Sequence, residues 1–405
     1  MANTIGRRAY SERSGRIIPN VLPNILLVDS NIQDAGFLAF ISKLKSRRTQ
    51  QEKVTWDTDV FNPTTDTVDG AISGTTQTTI KVDNPTYFIP GELWQNKRTG
   101  EVYGVSEVNT STQVITVTRA ISALNSSGGT AAAAINDADQ LNKIASYVSE
   151  NSSRQTTKTT TPSEVFNYCQ IQRMDLSLSE RQIKREFDND NELSYQSSKL
   201  LKEFRMDTDR MFLFGERARF TNSDGDDVTL MNGIRPVVTT NVFNVGGTLF
   251  KSQLDEFLVE QGMRFGSRNK VLFASTDVIL AFTQIVDTDL TTHVDLSSKV
   301  GVTIGTTVLK YTAPNGSEML IMEDRNISEQ HNGEAYGVDM SQLEMRDFSN
   351  NGRSGAMHLI KGTQDPDDPG TVDTLMSDQC LTYGIEKTHF KLTNVSGGSY
   401  SIPSV

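Results

Sequence analysis

The residues best suited to chemistry in this sequence of 405 residues are few and far apart. Its histidines are His293, His331, His358 and His389, and no two of them stand at the short spacing that pairs of metal ligands use. His331 with Glu334 comes nearest to a ligand pair, but both residues fall in the turn-forming run HNGE. The histidines therefore predict no metal site.

Signatures of calcium binding and catalysis are also missing from the sequence. The acidic run NSDGDD at 222–227 lacks the glutamate that ends an EF-hand loop, and DPDDPG at 365–370 is predicted to be a turn for the same reason. The sequence holds no GxxxxGKS/T, GxGxxG, HExxH, CxxC or GxSxG motif. We therefore predict a protein without catalytic residues, cofactor or bound metal.

The composition suits a soluble chain that is made and kept in a reducing compartment. Hydrophobic residues make up 36% of the chain and the mean hydropathy is −0.39, while the length allows a sizeable core. Cys169 and Cys380 are too far apart in sequence to suggest a disulfide-stapled secreted fold. Pro19 and Pro23 interrupt the apolar run near the N-terminus, and Val278–Val286 is too short to cross a bilayer. We predict neither a signal peptide nor a membrane span.

The N-terminal segment is basic, although the whole chain carries a formal net charge of −11. Residues 1–24 are polar and show no period, which predicts an arm that becomes ordered only against a partner. Four arginines in it are candidate contacts with a neighbouring subunit: Arg7, Arg8, Arg13 and Arg16. A second basic group at 43–48 ends a predicted helix at 34–44, where it favours the helix dipole. A nucleic-acid site there is the alternative, without an aromatic platform to support it.

Residues 54–135 predict an all-β insertion. Val, Thr and Ile alternate with polar residues at 78–82, 101–108 and 113–120, and turn signals separate these runs. Three aromatic residues either form the small core of the insertion or contact a neighbouring subunit: Phe88, Trp94 and Tyr103.

The longest helical pattern spans residues 190–215. Asp190 or Asn191 is suited to cap its start and Gly215 to end it, and neither Gly nor Pro interrupts the run between them. Its apolar residues recur at helical spacing and are predicted to form the core face: Leu193, Leu200, Phe204 and Met211. At about 1.5 Å per residue the helix is long enough to span a subunit.

The rest of the chain predicts mixed helix and sheet. Thr248 is a candidate cap for a helix, 271–275 is a buried strand, and a second helix follows a cap at Ser275 or Thr276. Strand patterns then return between 302 and 395. The predicted fold class is α+β.

Scattered residues also form an ordered pattern along the chain. In and around the long helix they are Asn167-Tyr168, Gln170-Ile171, Arg173, Ser177, Ser179, Glu192, Gln196, Glu203, Asp209, Phe214-Gly215 and Asn232-Gly233-Ile234. Towards the N-terminus they are Trp56, Asp57, Asp59, Pro90-Gly91, Gly100-Glu101-Val102, Val105, Val108 and Val117-Thr118-Arg119. In their order these residues resemble the HK97-fold major capsid proteins of tailed bacteriophages, in particular the SU10-like major head protein family. The resemblance covers about 23–395, and Cys169 departs from it at a position where a small hydroxylated residue is expected.

The resemblance implies an HK97-like subunit with several parts. These are an N-terminal arm (1–50), an extended E-loop bearing the all-β insertion (51–140), a peripheral domain (141–234) with its spine helix (190–215), an axial domain (235–300), the remaining peripheral and axial sheets (301–395) and a loose C-terminal tail (396–405). Some relatives crosslink neighbouring subunits through a lysine and an asparagine. Lys81 and Lys97 lie in the E-loop region, but no partner asparagine is recognised, so crosslinking is not predicted.

The function implied is that of a major capsid protein. Copies of the chain would assemble through hexamers and pentamers into an icosahedral shell around the double-stranded DNA of a tailed phage. The further partners implied are portal, scaffolding and decoration proteins, with no membrane, and the shell would be assembled in the host cytoplasm and remain as the virion capsid. The net negative charge predicts weak, non-specific contact with the packaged DNA.

Two alternatives remain at this level. An encapsulin-like compartment shares the fold but encloses enzymes, and the long β insertion and the basic arm favour a virus. A β-rich tail or adhesion protein would use the Thr/Val-rich segment to bind a receptor, but the long helix fits that function poorly.

Overall fold

The computed structural model describes residues 36–43, 46–123, 129–150, 158–183, 192–287, 309–349, 354–365, 367 and 370–399. The predicted arm contacts Arg7, Arg8, Arg13 and Arg16, the predicted helix caps Asp190 and Asn191, and His293 lie outside these residues. The chain divides into two compact units. We call Met1–Trp56 together with Val165–Val405 the body, and Asp57–Glu164 the β unit.

Both helices and strands are well represented, and the α+β class is confirmed. The helices are α1 (Gly36–Ile41), α2 (Glu180–Ile183), α3 (Glu192–Phe214), α4 (Ile234–Val237), α5 (Lys251–Phe257), α6 (Thr276–Asp287) and α7 (Arg325–Gln330). The strands are β1 (Arg47–Thr49), β2 (Lys53–Thr58), β3 (Thr65–Thr67), β4 (Thr79–Lys81), β5 (Glu92–Asn96), β6 (Val102–Asn109), β7 (Val114–Thr118), β8 (Gln140–Ser146), β9 (Ser163–Tyr168), β10 (Gln170–Ser179), β11 (Ala218–Thr221), β12 (Asp227–Leu230), β13 (Val242–Phe250), β14 (Asn269–Ala274), β15 (Leu309–Thr312), β16 (Glu318–Glu323), β17 (Ala335–Val338), β18 (Glu344–Phe348), β19 (His358–Ile360), β20 (Gly370–Thr382) and β21 (Phe390–Ser399). Among the described residues, no helix combines the length and apolar character that a membrane crossing needs.

The first sheet of the body has the order β1-β18-β20-β10, and β19 also pairs with β20. Strand β10 pairs antiparallel with β20 along all of its 10 residues. Helix α3 covers one face of this sheet, where the hydroxyl of Thr208 donates to Gln172 Oε1 at 2.7 Å. Because side chains alternate along a strand, the even-numbered residues of β10 face α3 and the odd-numbered ones face away from it.

The second sheet of the body has the order β13-β21-β17-β14-β16-β15 and mixes parallel with antiparallel pairs. Strand β14 is buried over all but its first residue. Helices α5 and α6 pack against this sheet around a core that includes Phe257, Phe282 and Phe390. Aromatic contacts stabilise this core, among them the edge-to-face contact between Phe257 and Phe390, whose ring centroids lie 5.8 Å apart.

Strand β13 corrects one sequence prediction. Thr248, the predicted helix cap, lies inside the strand opposite Gly397 of β21, and helix α5 begins only at Lys251. Gly246 and Gly247 have positive φ values of 67° and 137°, and the register shifts there as in a β-bulge. The strand continues past the bulge, so ladder pairing with β21 outweighs the capping preference of a threonine.

The long helix α3 runs through 23 residues, and the prediction of a helix at 190–215 is confirmed. Its C-terminal half lies in a second core of the body, which includes Phe37, Phe212, Phe273 and Tyr336. The rings of Phe37 and Phe273 pack edge to face with their centroids 5.0 Å apart, so α1 is packed into the same core. Burial at this end fixes the helix to the rest of the body.

The β unit is a small closed barrel. Its sheet has the order β3-β8-β5-β6-β7-β4, with antiparallel pairing throughout. An antiparallel bridge between Val68 and Val82, the residues directly after β3 and β4, joins the two ends of this order. Closure removes the free edges that an open sheet would expose. The predicted all-β insertion is therefore confirmed.

Candidate assembly interface

Asn167 joins three segments of the body and is fully buried. Its side-chain Nδ2 donates to the carbonyl oxygens of Asn232 at 3.0 Å and Leu381 at 2.8 Å. Its Oδ1 accepts from the backbone N–H groups of Asn232 at 2.8 Å and Tyr168 at 2.9 Å. A single amide thus satisfies backbone groups on β9, on β20 and in the loop after β12.

Gly215 and Gly233 bring two backbone segments into direct contact at the end of α3. The N–H of Gly233 donates to the Gly215 carbonyl at 2.7 Å. A Cβ on Gly215 would lie 2.6 Å from the carbonyl oxygens of Met211 and Met231, which is closer than real Cβ atoms come. Any side chain at this position would push the two segments apart, so the close packing of the backbone requires glycine here.

A pair of buried carboxylates holds the start of α1. Leu38 N–H donates to Asp209 Oδ1 at 2.7 Å, and Phe37 N–H donates to Asp324 Oδ2 at 3.1 Å. Asn326 Nδ2 donates to Asp209 Oδ2 at 2.8 Å. Burial raises the pKa of Asp209 well above its usual range, and the neighbouring Asp324 raises it further. Burial also raises the pKa of Asp324 to about 6.

These raised pKa values predict how stability changes with pH. A carboxyl group whose pKa is higher in the folded than in the unfolded state stabilises the fold below about pH 4, and this contribution is lost as the pH rises through about 6. A shift of two pKa units corresponds to roughly 3 kcal/mol. We therefore expect Asp209→Asn, which removes one charge from the pair, to gain stability relative to the wild type as the pH rises from about 4 to about 7.

The measurement is the free energy of unfolding in urea across that pH range. Asp59→Asn is the matched control, because it makes the same change at an exposed position. A difference between Asp209→Asn and the wild type that stays constant with pH would contradict the prediction.

In the barrel, Glu101 and Arg119 form a buried ion pair. Arg119 donates to both carboxylate oxygens of Glu101, from Nε at 2.9 Å and from Nη2 at 2.7 Å. Glu101 also accepts from the backbone N–H groups of Ala120 at 3.1 Å and Ala133 at 3.0 Å, and Arg119 Nη1 donates to the carbonyl of Gly74 at 2.8 Å. The pair therefore ties together four separate segments of the β unit.

A second ion pair braces the same unit. Arg98 donates hydrogen bonds to the Asp139 carboxylate from Nε and Nη2, both at 2.7 Å. Asn96 Nδ2 donates to the same carboxylate at 2.9 Å. The Arg98 guanidinium lowers the pKa of Asp139 to about 2. Asp139 thus stays ionised and hydrogen-bonded at neutral pH.

The barrel encloses the three aromatic residues that were candidates for intersubunit contact. Trp94 and Tyr103 are fully buried, and Phe88 is nearly fully buried. The ring centroids of Phe88 and Trp94 lie 4.1 Å apart. Side chains inside a closed barrel leave no surface for a neighbouring subunit. Phe88, Trp94 and Tyr103 therefore form the core of the β unit, which was the other alternative at the level of the sequence.

Other apolar residues of the β unit are exposed, where a partner could cover them. We call them the apolar rim: Val60, Phe61, Ile144, Tyr147 and Val148. Phe61 is 100% exposed, and Val148 is 60% exposed. Lys143 N–H donates to the Thr64 carbonyl at 2.8 Å, which sets the two segments that carry the rim side by side. Apolar side chains that cluster on a surface typically mark an interaction site.

Sequence reasoning missed the apolar rim. Its residues lie just before β3 and at the end of β8, where neither alternation nor helical spacing marks one face as buried. The available signal is that Val60 and Phe61 follow Asp59 and precede Asn62-Pro63, so two large apolar residues stand in a turn-forming run. Large apolar residues in such a run have no strand face on which to be buried.

The body also exposes apolar residues along its first sheet. On the face of β10 away from α3, Ile171 is 59% exposed. Met357, Leu359 and Ile360, in and before β19, are exposed as well. By register, Ile360 lies on the same face as Ile171, whereas Leu359 lies on the opposite face, so these residues do not form one continuous surface.

The predicted core face of α3 is only partly buried. Phe204 is fully buried and Met211 nearly so, whereas Leu193 and Leu200 are partly exposed. The exposed part coincides with the N-terminal half of the helix. That half carries an ion pair between Lys199 and Glu203 at 3.8 Å.

The histidines have structural partners where the structure describes them. His331 Nδ1 lies 3.9 Å from Oε1 of Glu334. Arg235 Nε lies 3.0 Å from the other carboxylate oxygen of Glu334, Oε2. His389 is buried and takes part in hydrogen bonds with Asp339 N–H and the Tyr383 carbonyl. Across the described ranges, no group of three or more His, Cys, Asp or Glu residues lies close enough together to hold a metal ion.

Comparison with known proteins gives one family and a set of similar folds. The sequence matches the family described as SU10 major capsid protein over residues 15–396. A chain of the cyanophage A-1(L) capsid asymmetric unit has a TM-score of 0.52 at 8% identity, covering 96% of this chain and 100% of that chain. No curated protein sequence matches.

Two further solved structures are more distant. A Mycobacterium phage Bobi chain has a TM-score of 0.47 at 9% identity, covering 97% of this chain and 100% of that chain. The holo-SrpI encapsulin complex from Synechococcus elongatus has a TM-score of 0.40 at 11% identity, covering 60% of this chain and 80% of that chain. At such identities a structural likeness concerns the fold alone, and of the three structures the cyanophage capsid is the one that supports it.

Proposed function

This chain belongs to the SU10 major capsid protein family, and we propose that its copies build an icosahedral shell of hexamers and pentamers around the double-stranded DNA of a tailed phage. The family match extends over nearly the whole chain, so the protein is a phage major capsid protein, a subunit of the shell. The finer features, namely the capsomers, the DNA and the further partners, belong to the proposal.

The apolar rim is the observation that best supports contacts between copies. A shell subunit meets its neighbours through heterologous contacts, in which different surfaces of two copies meet. Each contact can be modest, because many form at once in a closed assembly. Phe61 and Val60 are exposed among the described residues, whereas Phe88, Trp94 and Tyr103 of the same unit are buried. A neighbouring copy is the partner that would bury the rim in a shell.

The parts of the subunit follow from the same proposal. We assign residues 1–50 to an arm, 51–140 to an E-loop that carries most of the barrel, and α3 to the spine helix of a peripheral domain that spans 141–234. Residues 235–300 would form the axial domain near capsomer centres, and 301–395 the remaining sheets. In this arrangement the rim lies at the root of the E-loop.

The charge of the chain suits a container for DNA. With a formal net charge of −11, the shell lining would repel phosphate weakly, so the duplex could slide during packaging. We propose assembly in the host cytoplasm, with portal, scaffolding and decoration proteins as further partners.

Self-assembly of the isolated chain tests the proposal. We expect the full-length protein, expressed alone and imaged by negative-stain electron microscopy, to form closed shells, tubes or capsomer rings. The nucleic-acid content of native particles then separates a virus from a compartment, because a compartment would carry protein cargo and no genome. Uniform monomers that persist across protein and salt concentrations would count against the proposal.

A further inference from the structure

Two cysteines lie buried together in the body, Cys169 directly before β10 and Cys380 within β20 of the first sheet. Cys169 is 2% exposed and Cys380 is 0% exposed, and both belong to one apolar cluster with Val54. Both are free thiols. The pair is separated in sequence by α3 and most of the second sheet, so only the fold brings the two residues together.

The register of the sheet places the two residues opposite each other. Gln170 of β10 pairs with Gln379 of β20, and one further step along both antiparallel strands reaches Cys169 and Cys380. Cys169 N–H donates to the Glu52 carbonyl at 2.7 Å, and the Cys169 carbonyl accepts from the Thr229 hydroxyl at 2.6 Å. The backbone groups of Cys169 are thus engaged away from Cys380, as in a non-hydrogen-bonded pair.

Such a pair has the spacing that a disulfide needs. Residues opposite each other in a non-hydrogen-bonded antiparallel pair have Cα atoms about 4.5 Å apart, with their side chains close together. A disulfide accepts Cα separations of about 4.4–6.8 Å. The side chains of Cys169 and Cys380 pack in the same small apolar cluster, which agrees with this spacing.

Burial makes the two thiols slow to react while the sheet is closed. The neighbouring Cys169 thiol, together with burial, raises the pKa of Cys380 well above its usual range. A thiol with a raised pKa has little thiolate, which is the reactive form. Oxidation would therefore need the edge of the sheet to open briefly, and it would be negligible in a reducing cytoplasm.

We propose that Cys169 and Cys380 form a reversible cross-strand disulfide when the protein meets an oxidising environment. In this reaction one thiolate attacks a small disulfide oxidant, which forms a mixed disulfide and releases one thiol of the oxidant. The second cysteine thiolate then attacks the protein sulfur of the mixed disulfide and releases the other thiol. The protein loses two protons and two electrons, and the oxidant gains them.

The disulfide would lock β10 to β20 after assembly. In its biological setting the inference rests on the proposed function, since a shell that leaves the host cell passes from a reducing to an oxidising environment. The bond closes a long loop that contains α3, and a disulfide that closes a longer loop restricts the unfolded chain more. The oxidised protein should therefore resist unfolding better than the reduced protein.

The test uses the full-length protein and oxidised glutathione as the oxidant. After incubation under native conditions, remaining thiols are blocked by alkylation and the protein is digested for mass spectrometry. We expect a linked peptide pair that contains Cys169 and Cys380, and an upward shift of several degrees in the midpoint of thermal unfolding. Dithiothreitol should reverse both changes.

Cys169→Ala and Cys380→Ala are matched controls, because each removes one thiol and leaves a small apolar side chain. We expect neither variant to show the redox-dependent shift. The comparison of oxidised with reduced wild type needs no variant, so the test stands even if a variant folds poorly. Recovery of both cysteines as free thiols or glutathione adducts, while the urea-unfolded chain oxidises under the same conditions, would overturn the inference.

Failure of the proposed function has a different signature. If the chain assembles into shells but forms no linked peptide, the disulfide inference fails and the proposed shell function stands. If the chain forms the linked peptide but never assembles, the disulfide inference stands and the proposed shell function fails.

Discussion

Replacing Glu101 with glutamine should unfold the barrel locally while the body stays folded. Glutamine keeps the shape of the side chain but removes its charge, which leaves the Arg119 guanidinium buried without a counter-ion. Removing one partner of a buried ion pair costs about 3–5 kcal/mol. A domain of this size typically has about 5–15 kcal/mol of stability in total, so the loss is a large fraction of it.

Hydrogen exchange of the backbone amides in the full-length protein measures this effect. We expect amides of β6 and β7 to exchange much faster in Glu101→Gln, and those of β14 in the body to keep their wild-type rates. Lys81→Met is the control, because its partner Asp69 is exposed and surface pairs contribute little. Wild-type exchange in β6 and β7 of Glu101→Gln would show that the pair does not hold the barrel.

Replacing Phe61 with aspartate should block shell formation without unfolding the chain. Phe61 makes no contribution to a core, because its side chain is fully exposed. If a neighbouring copy buries it, the variant loses the gain from burying a phenylalanine, worth about 1.5–3 kcal/mol. Since each 1.4 kcal/mol is a factor of ten, the protein concentration needed for assembly should rise about ten- to a hundredfold.

Light scattering against protein concentration, with electron microscopy of the products, gives that threshold. Phe61→Leu is the matched control, since it keeps an apolar side chain at the same exposed position and should assemble nearly as the wild type does. Thermal unfolding of the unassembled chains should be alike in all three proteins. Equal assembly thresholds for Phe61→Asp and the wild type would remove the apolar rim from the interface.

Local sequence patterns predicted elements whose signals are local. The long helix was recognisable because uninterrupted helical spacing depends only on neighbouring residues, and α3 ends one residue before the predicted Gly215. The strand runs of the insertion appear as β4, β6 and β7 for the same reason. The prediction at Thr248 was wrong because pairing with β21, about 150 residues away, decides the conformation there.

The roles of individual residues depended on contacts that no local pattern contains. Glu101 and Arg119 stood out in the sequence as part of a resemblance, yet their ion pair becomes visible only once the strands of the barrel meet. Trp94 is buried in the core of that barrel, which the bridge between Val68 and Val82 closes. Side-chain type alone therefore could not separate buried aromatic residues from exposed ones such as Phe61.

The paired strands at the root of the β unit have an evolutionary consequence. Thr58 in β2 and Ser163 in β9 lie on strands that pair with each other, and their hydroxyl oxygens are 3.1 Å apart. Because the entropy of closing a loop grows only slowly with its length, a segment that leaves and returns at one point costs its host little, however long it becomes. Relatives could therefore lengthen, trim or exchange the barrel as a cassette while inheriting the body unchanged. Selection on the two parts would then be largely independent.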